Sequence, residues 1–221
     1  MLRDVPEGHG GLHVVLNRLF ERNWNMASTK GISKAAVRRK IIEFLNRTSG
    51  QVDAKPGKGS CGMIHRNALV LATSANNIPR ATVLEFFNEG LTLYIFGEPG
   101  GKIANIKRNP RVSAVIYEQP LDHSKLQTSL QIFGTAALIN VRNNPKLFRA
   151  KAKKCNIAYV MEKLLSPMTK GQKLTGEELD KFYKKGFESL NIIKITPDHI
   201  ILKEYCPDFS SKKYDWRNDG R

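Results

Sequence analysis

The sequence is poor in cysteine, in acidic residues and in long apolar runs, and each shortage narrows what the chain can be. The three cysteines, Cys61, Cys155 and Cys206, have neither paired nor metal-ligand spacing, which suits a reducing cytoplasm better than a disulfide scaffold. The longest apolar runs are strand-sized, so no helix is expected to cross a membrane. No long apolar stretch of signal-peptide type opens the chain, and a cytoplasmic location is expected. No internal repeat is visible. The histidines His9, His13, His65, His123 and His199 are too dispersed for a metal motif. Asp122-His123-Ser124 contains the residue types of a triad, but adjacency is not triad geometry, and a loop is expected there. The dinucleotide fingerprint and the P-loop pattern are both missing.

The shortage of acids leaves 36 Lys+Arg against 20 Asp+Glu and a formal net charge of +16. Such a surplus favours anionic partners: phosphorylated cofactors, nucleic acid or an acidic membrane surface. Aromatic residues interleaved with Lys and Arg are not evident, so nucleic acid ranks last of the functional readings. A hydrophobic content of 41% is that of an ordinary globular domain.

Apolar spacing predicts a helix over 12–22, and Met26 could be an internal start. A second helix is predicted over 33–46, with Ser33 as N-cap and Val37, Ile41, Phe44 and Leu45 as its apolar stripe. Residues 48–62 read as a flexible connection, in which Cys61 lies among small and basic residues. Strands are then predicted over 68–73, 80–87, 91–96, 111–117 and 127–141, with Gly134 as a bulge or bend. Phe86, Phe87, Tyr94 and Tyr117 are expected in the core or in an interface between subunits. Asn144-Pro145 opens a helical region that includes Phe148, Ala152, Cys155, Tyr159 and Leu164. A capping-box-like Thr175-Gly176-Glu177-Glu178 leads into a helix ending near Phe187. Residues 190–196 and 200–205 flank Pro197-Asp198 as a final hairpin, and 206–221 read as a polar tail. Hairpin-linked strands with helices inserted late imply a mainly β (α+β) chain, an antiparallel barrel with flanking helices.

One segment points to chemistry. In Gly97-Glu98-Pro99-Gly100-Gly101-Lys102-Ile103-Ala104-Asn105-Ile106-Lys107-Arg108-Asn109-Pro110, a strand ends in a glycine turn and a short helix begins with lysine in its first turn. That helix end carries partial positive charge and favours acidic neighbours. A lysine there makes sense beside an anion, which the exposed backbone N–H groups also attract. Arg80 opens a nearby strand and could converge on the same phosphate. Strand alternation puts Arg80, Thr82, Leu84 and Phe86 on one face, and Ser129, Gln131 and Phe133 on another shared face.

In this strand order, Pro79-Arg80-Ala81-Thr82-Val83, the segment from Lys102 to Val112, Gln131-Ile132-Phe133-Gly134-Thr135-Ala136 and Lys194-Ile195-Thr196-Pro197-Asp198-His199-Ile200 resemble the pyridoxamine 5'-phosphate oxidase-like, FMN-binding split-barrel family. The resemblance spans residues 34–205, which implies an N-terminal extension over 1–33, partly helical, and inserted helices around 144–187. It implies a homodimer with FMN in clefts at the subunit interface and an oxidoreductase activity. It further implies that Arg80 and Lys102 hold the flavin phosphate, that Thr82 and Val83 lie along the flavin, and that Ser129 and Gln131 approach its ring. A non-enzymatic flavin carrier on the same fold is the alternative, and relatives of this barrel can hold haem or the deazaflavin F420. The sequence also departs from the family. Glu85 stands where the vitamin B6 oxidases carry a basic residue, and Gly100-Gly101 replaces a turn that usually offers Arg or Ser. The Arg-rich substrate motif is not recognisable beyond Tyr205, where Trp216-Arg217 is a faint echo. Vitamin B6 oxidation is therefore not expected.

Overall fold

A computed structural model describes residues 26–28, 31–52, 63–64, 67–118, 126–155, 157, 176–208 and 210–219. The helix predicted over 12–22, Cys61, Asp122-His123-Ser124, Tyr159 and Leu164 lie outside them. Helix α1 (Lys34–Thr48) begins where the Ser33 side chain accepts a hydrogen bond from the Ala36 N–H at 3.2 Å. Its buried stripe of Val37, Ile41, Phe44 and Leu45 faces the main core. Burying each large member of that stripe stabilises the fold by roughly 1.5–3 kcal/mol.

Three short strands accompany α1 in sequence: β1 (Met26–Ser28) before it, and β2 (Gln51–Val52) and β3 (Met63–Ile64), which pair with each other. The first long hairpin joins β4 (Ala68–Ala75) to β5 (Ile78–Glu85) through Asn76 and Asn77. Both asparagines have positive φ, 52° and 60°. A two-residue turn with that sign at both positions matches the twist of the strands it joins, and asparagine tolerates it. Strands β6 (Phe87–Glu89) and β7 (Thr92–Gly97) form the next hairpin across Gly90, whose φ is 59°. Helix α2 (Gly101–Arg108) follows, then β8 (Arg111–Glu118) and the long β9 (Gln127–Ile139). Helices α3 (Pro145–Lys154) and α4 (Gly176–Ser189) precede β10 (Asn191–Tyr205) and β11 (Ser211–Arg217). As the Asn-Pro pair predicts, the Asn144 side chain caps α3 by accepting from the Leu147 N–H at 3.1 Å.

The strands make a nine-stranded sheet in the order β1-β11-β10-β9-β8-β4-β5, with β7 branching from β10 and carrying β6. All its pairings are antiparallel except β1 with β11. Strand β10 makes this geometry possible. Its first part pairs with β7, from Asn191↔Gly97 to Ile195↔Leu93, and its last part pairs with β11, from His199↔Arg217 onward. The sheet curls over one core and splits where β10 exchanges partners, giving an antiparallel split barrel.

Two sequence expectations are corrected here. Residues 190–205 are not a hairpin turning at Pro197-Asp198 but one continuous strand. Proline lacks the N–H that a ladder needs, which reads as a chain break in sequence. In the fold Pro197 falls between the β7 and β11 pairings, at a register shift between Pro197 and His199, so the missing donor costs little. Gly134 lies opposite: a Cβ there would clash with the Thr196 carbonyl oxygen. The second correction concerns 206–221, which is not a polar tail. Tyr214 and Trp216 of β11 are buried in the main core, while Lys213, Asp215 and Arg217 alternate with them on the other face. Met26 to Ser28, inside the expected N-terminal extension, pair with this strand.

A second apolar cluster, containing Tyr94, Ile139, Phe148, Ala152, Cys155 and Ile192, holds α3 against the sheet. Lys151, only 8% exposed, reaches over the Tyr94 ring to Glu89, and Lys154 joins the same carboxylate at 2.7 Å. These two lysines hold the Glu89 carboxyl down to about 2. Burial pushes the neighbouring Cys155 thiol up to about 11, so it is not a thiolate near neutrality.

Candidate functional site

Strand β7 ends at Gly97, the chain turns through Glu98-Pro99-Gly100, and α2 begins beneath β4. Gly100 has φ 157° and ψ −171°, a conformation nearly restricted to glycine. Ile103 and Ile106 anchor α2 in the core. On its flank, Asn105 donates from Nδ2 to the Thr73 hydroxyl at 3.2 Å, tying the helix to β4. Thr73 is 3% exposed and pairs across the hairpin with Arg80. The hairpin register and this hydrogen bond therefore bring the start of β5 to the start of α2.

The Arg80 side chain lies directly on Gly101. A Cβ built there would meet its Nε at 2.7 Å, Cζ at 2.8 Å and Nη2 at 2.9 Å. Only a residue without a side chain lets the guanidinium come this close to the helix backbone. Lys102 folds the other way, its Cε 3.3 Å from where a Cβ on Gly97 would be. No side chain caps α2, and its first turn holds no acidic residue. The start of α2 thus has the Arg80 guanidinium against Gly101 and the Lys102 side chain against Gly97.

The remaining candidates lie elsewhere on the sheet. Thr82 and Leu84 are half-buried on the face that continues to the buried Phe86, whereas Val83 projects outward and is 68% exposed. Gln131 and Ser129 also face outward. Cross-strand register aligns Val83, Val70, Val115 and Gln131 in one row over four strands. Gln131 is therefore three strand spacings from Val83, roughly 14 Å. Within one chain Ser129 and Gln131 are not brought up to Val83. Asn105 and Thr73, which tie α2 to β4 opposite Arg80, are not evident from sequence alone. A polar residue four positions after the glycine pair was the available signal, but its partner is distant in sequence.

Beside β5 lies a cleft of about 380 Å³ lined by Val83, Leu84, Glu85, Phe87, Phe96 and others. Phe87 and Phe96 meet edge to face, with ring centroids 6.2 Å apart. Among the described residues no group of three His, Cys, Asp or Glu could hold a metal ion, and no helix is long and apolar enough to cross a membrane.

A curled antiparallel sheet that splits at β10 defines the class of split barrels, and comparison identifies the family. The family model described as pyridoxamine 5'-phosphate oxidase matches residues 63–203, more than half of the sequence, and the chain belongs to that family. Among solved structures, it is similar to the General Stress Protein 26 from Bacillus anthracis, at 22% identity over 62% of this chain and 83% of that one, with a TM-score of 0.36. It is also similar to a FAD-binding protein from Mesorhizobium loti, at 19% identity over 62% and 84%, with a TM-score of 0.42. A third is the heme binding protein from Mycobacterium smegmatis, at 12% identity over 77% and 54%, with a TM-score of 0.45. No curated protein matches the sequence.

Proposed function

We propose that this protein is an FMN-dependent oxidoreductase that works as a homodimer. The observation that carries the reading is the approach of the Arg80 guanidinium to Gly101 at the uncapped start of α2, where Lys102 is the next residue in the chain. These groups fit a terminal phosphate: two cations supply charge, and backbone N–H groups replace the cationic side chains missing from the Gly100-Gly101 turn. Thr82 and Val83 would continue the site along β5. FMN, when bound, supplies a two-electron acceptor and donor, so the protein need only bind, orient and shield it.

The dimer is proposed on the outer face of the sheet. Val83, Val70 and Val115 form a continuous apolar row there, at 68%, 41% and 39% exposure, and Tyr117 is 43% exposed nearby. A second copy covering this row would remove it from water and would bring its own Ser129 and Gln131 toward the first copy's β5. Glu85 lines the adjoining cleft. A carboxylate there disfavours a phosphorylated substrate, so vitamin B6 phosphates are not proposed.

Native mass spectrometry of the purified protein, supplemented with FMN if colourless, reads ligand and subunit number together. The expected species is a dimer carrying two FMN. A colourless monomer that takes up no FMN at micromolar concentration would remove the reading; haem or F420 in the extracted ligand would replace the cofactor.

A further inference from the structure

We propose a second ligand site, independent of the flavin reading, in the groove between α3 and α4, and infer that it binds an amphiphilic anion: an apolar body bearing a carboxylate or similar head. The groove has a volume of about 660 Å³, within the range of small-molecule sites. Its floor is apolar. Phe148 and Phe187 meet edge to face, with centroids 6.0 Å apart, and Ala152 packs beside them.

The rim is cationic. Arg142, Arg149, Lys153 and Lys184 line the groove, all four are exposed, and among the described residues none has an ion-pair partner. The contrast within α3 is informative. Lys151 and Lys154 turn toward Glu89 and are neutralised there, whereas Arg149 and Lys153 turn to the groove and are not. Arg149 and Lys153 are four positions apart, so they share a helix face and repel each other. Lys184 adds a third positive charge from α4. Among the described lining residues Glu188 is the one acid, and no ion pair joins it to Lys184. A cluster of like charges costs the free protein stability, and an anion with an apolar body would offset the cations with its head while its chain lies along the apolar lining, where Val141 and Phe187 are half-buried. A cationic or uncharged amphiphile would satisfy only the floor.

The test is calorimetric titration of the full-length protein with dodecanoate below its micelle concentration, with dodecyltrimethylammonium as the control of opposite charge. Saturable binding of one dodecanoate per chain is expected, with no saturable binding of the cation. Arg149→Glu combined with Lys184→Glu should weaken dodecanoate at least about tenfold. Both side chains are exposed, so melting temperature and far-UV circular dichroism should hold; if the reversed pair fails to fold, Arg149→Gln with Lys184→Gln must still weaken binding. A parallel arm uses phosphatidylglycerol vesicles. Binding to vesicles without binding of free dodecanoate, equal affinity for the cation, or unchanged affinity in the folded variants would each overturn the proposal.

Discussion

Arg80 and Gly101 are in van der Waals contact across the hairpin edge of the barrel: the guanidinium occupies the space that a side chain on Gly101 would need. The position selects glycine for the room its missing Cβ leaves, and the neighbouring Gly100 is selected for its backbone. The two glycines therefore predict different phenotypes.

Gly101→Ala forces the guanidinium aside, and because Arg80 is exposed and flexible, stability should change little. FMN affinity should fall. Gly100→Ala meets no neighbouring atom but places alanine at φ 157°, and should cost about 1–3 kcal/mol of stability. Denaturant melts and flavin fluorescence titrations on both variants check the split.

Asn105→Ala removes the hydrogen bond to the buried Thr73 hydroxyl and should cost about 1 kcal/mol. It should also weaken FMN, since α2 loses its tie to β4 without losing any charged group. A loss of stability with unchanged FMN affinity would show that this tie does not position the site.

Glu89 sets an acid limb on stability. Its hydrogen bonds from Lys151 and Lys154 lower its pKa from 4.5 to about 2. A carboxyl depressed in the folded state stabilises fully above its unfolded value, and that stability is lost as pH falls from about 4.5 through about 2. Urea midpoints across this window should drop in the natural protein. Glu89→Gln should start lower at neutral pH and show a smaller drop.

Lys40 and Glu204 join α1 to β10 at 2.7 Å, with the Tyr214 hydroxyl donating to the same carboxylate at 3.0 Å. Burial alone would lower the Lys40 pKa, but the Glu204 carboxylate outweighs it and the pKa is raised. Lys40→Met leaves Glu204, 8% exposed, with one fewer donor and should cost about 1–3 kcal/mol. Arg39→Met, whose contact with Glu43 is 3.9 Å long and exposed, should stay within about 0.5 kcal/mol.

Local chemistry made much of the fold legible. Ser33 and Asn144 announce helix starts, and Asn76-Asn77 announces a hairpin. Legibility failed where a local signal meant something different in three dimensions. Pro197 reads as a break, yet it sits where β10 needs no donor. The last segment reads as polar because Lys212, Lys213, Asp215 and Arg217 outnumber Tyr214 and Trp216, although apolar residues at every second position are what a half-buried strand presents. Trp216→Ala should accordingly cost about 3 kcal/mol or more in a denaturant melt, far above any effect expected in a tail. The Asn105–Thr73 bond was invisible because its partners are 32 residues apart.

The central claim is that Arg80, Lys102 and the start of α2 grip a phosphate ester. The most direct measurement is the pair of dissociation constants for FMN and riboflavin, which differ only by that phosphate, in the natural protein and in Arg80→Ala. FMN should bind at least about tenfold tighter than riboflavin in the natural protein, and the preference should collapse in the variant. Equal affinity for the two flavins in the natural protein, or a preference that survives the loss of Arg80, would contradict the account.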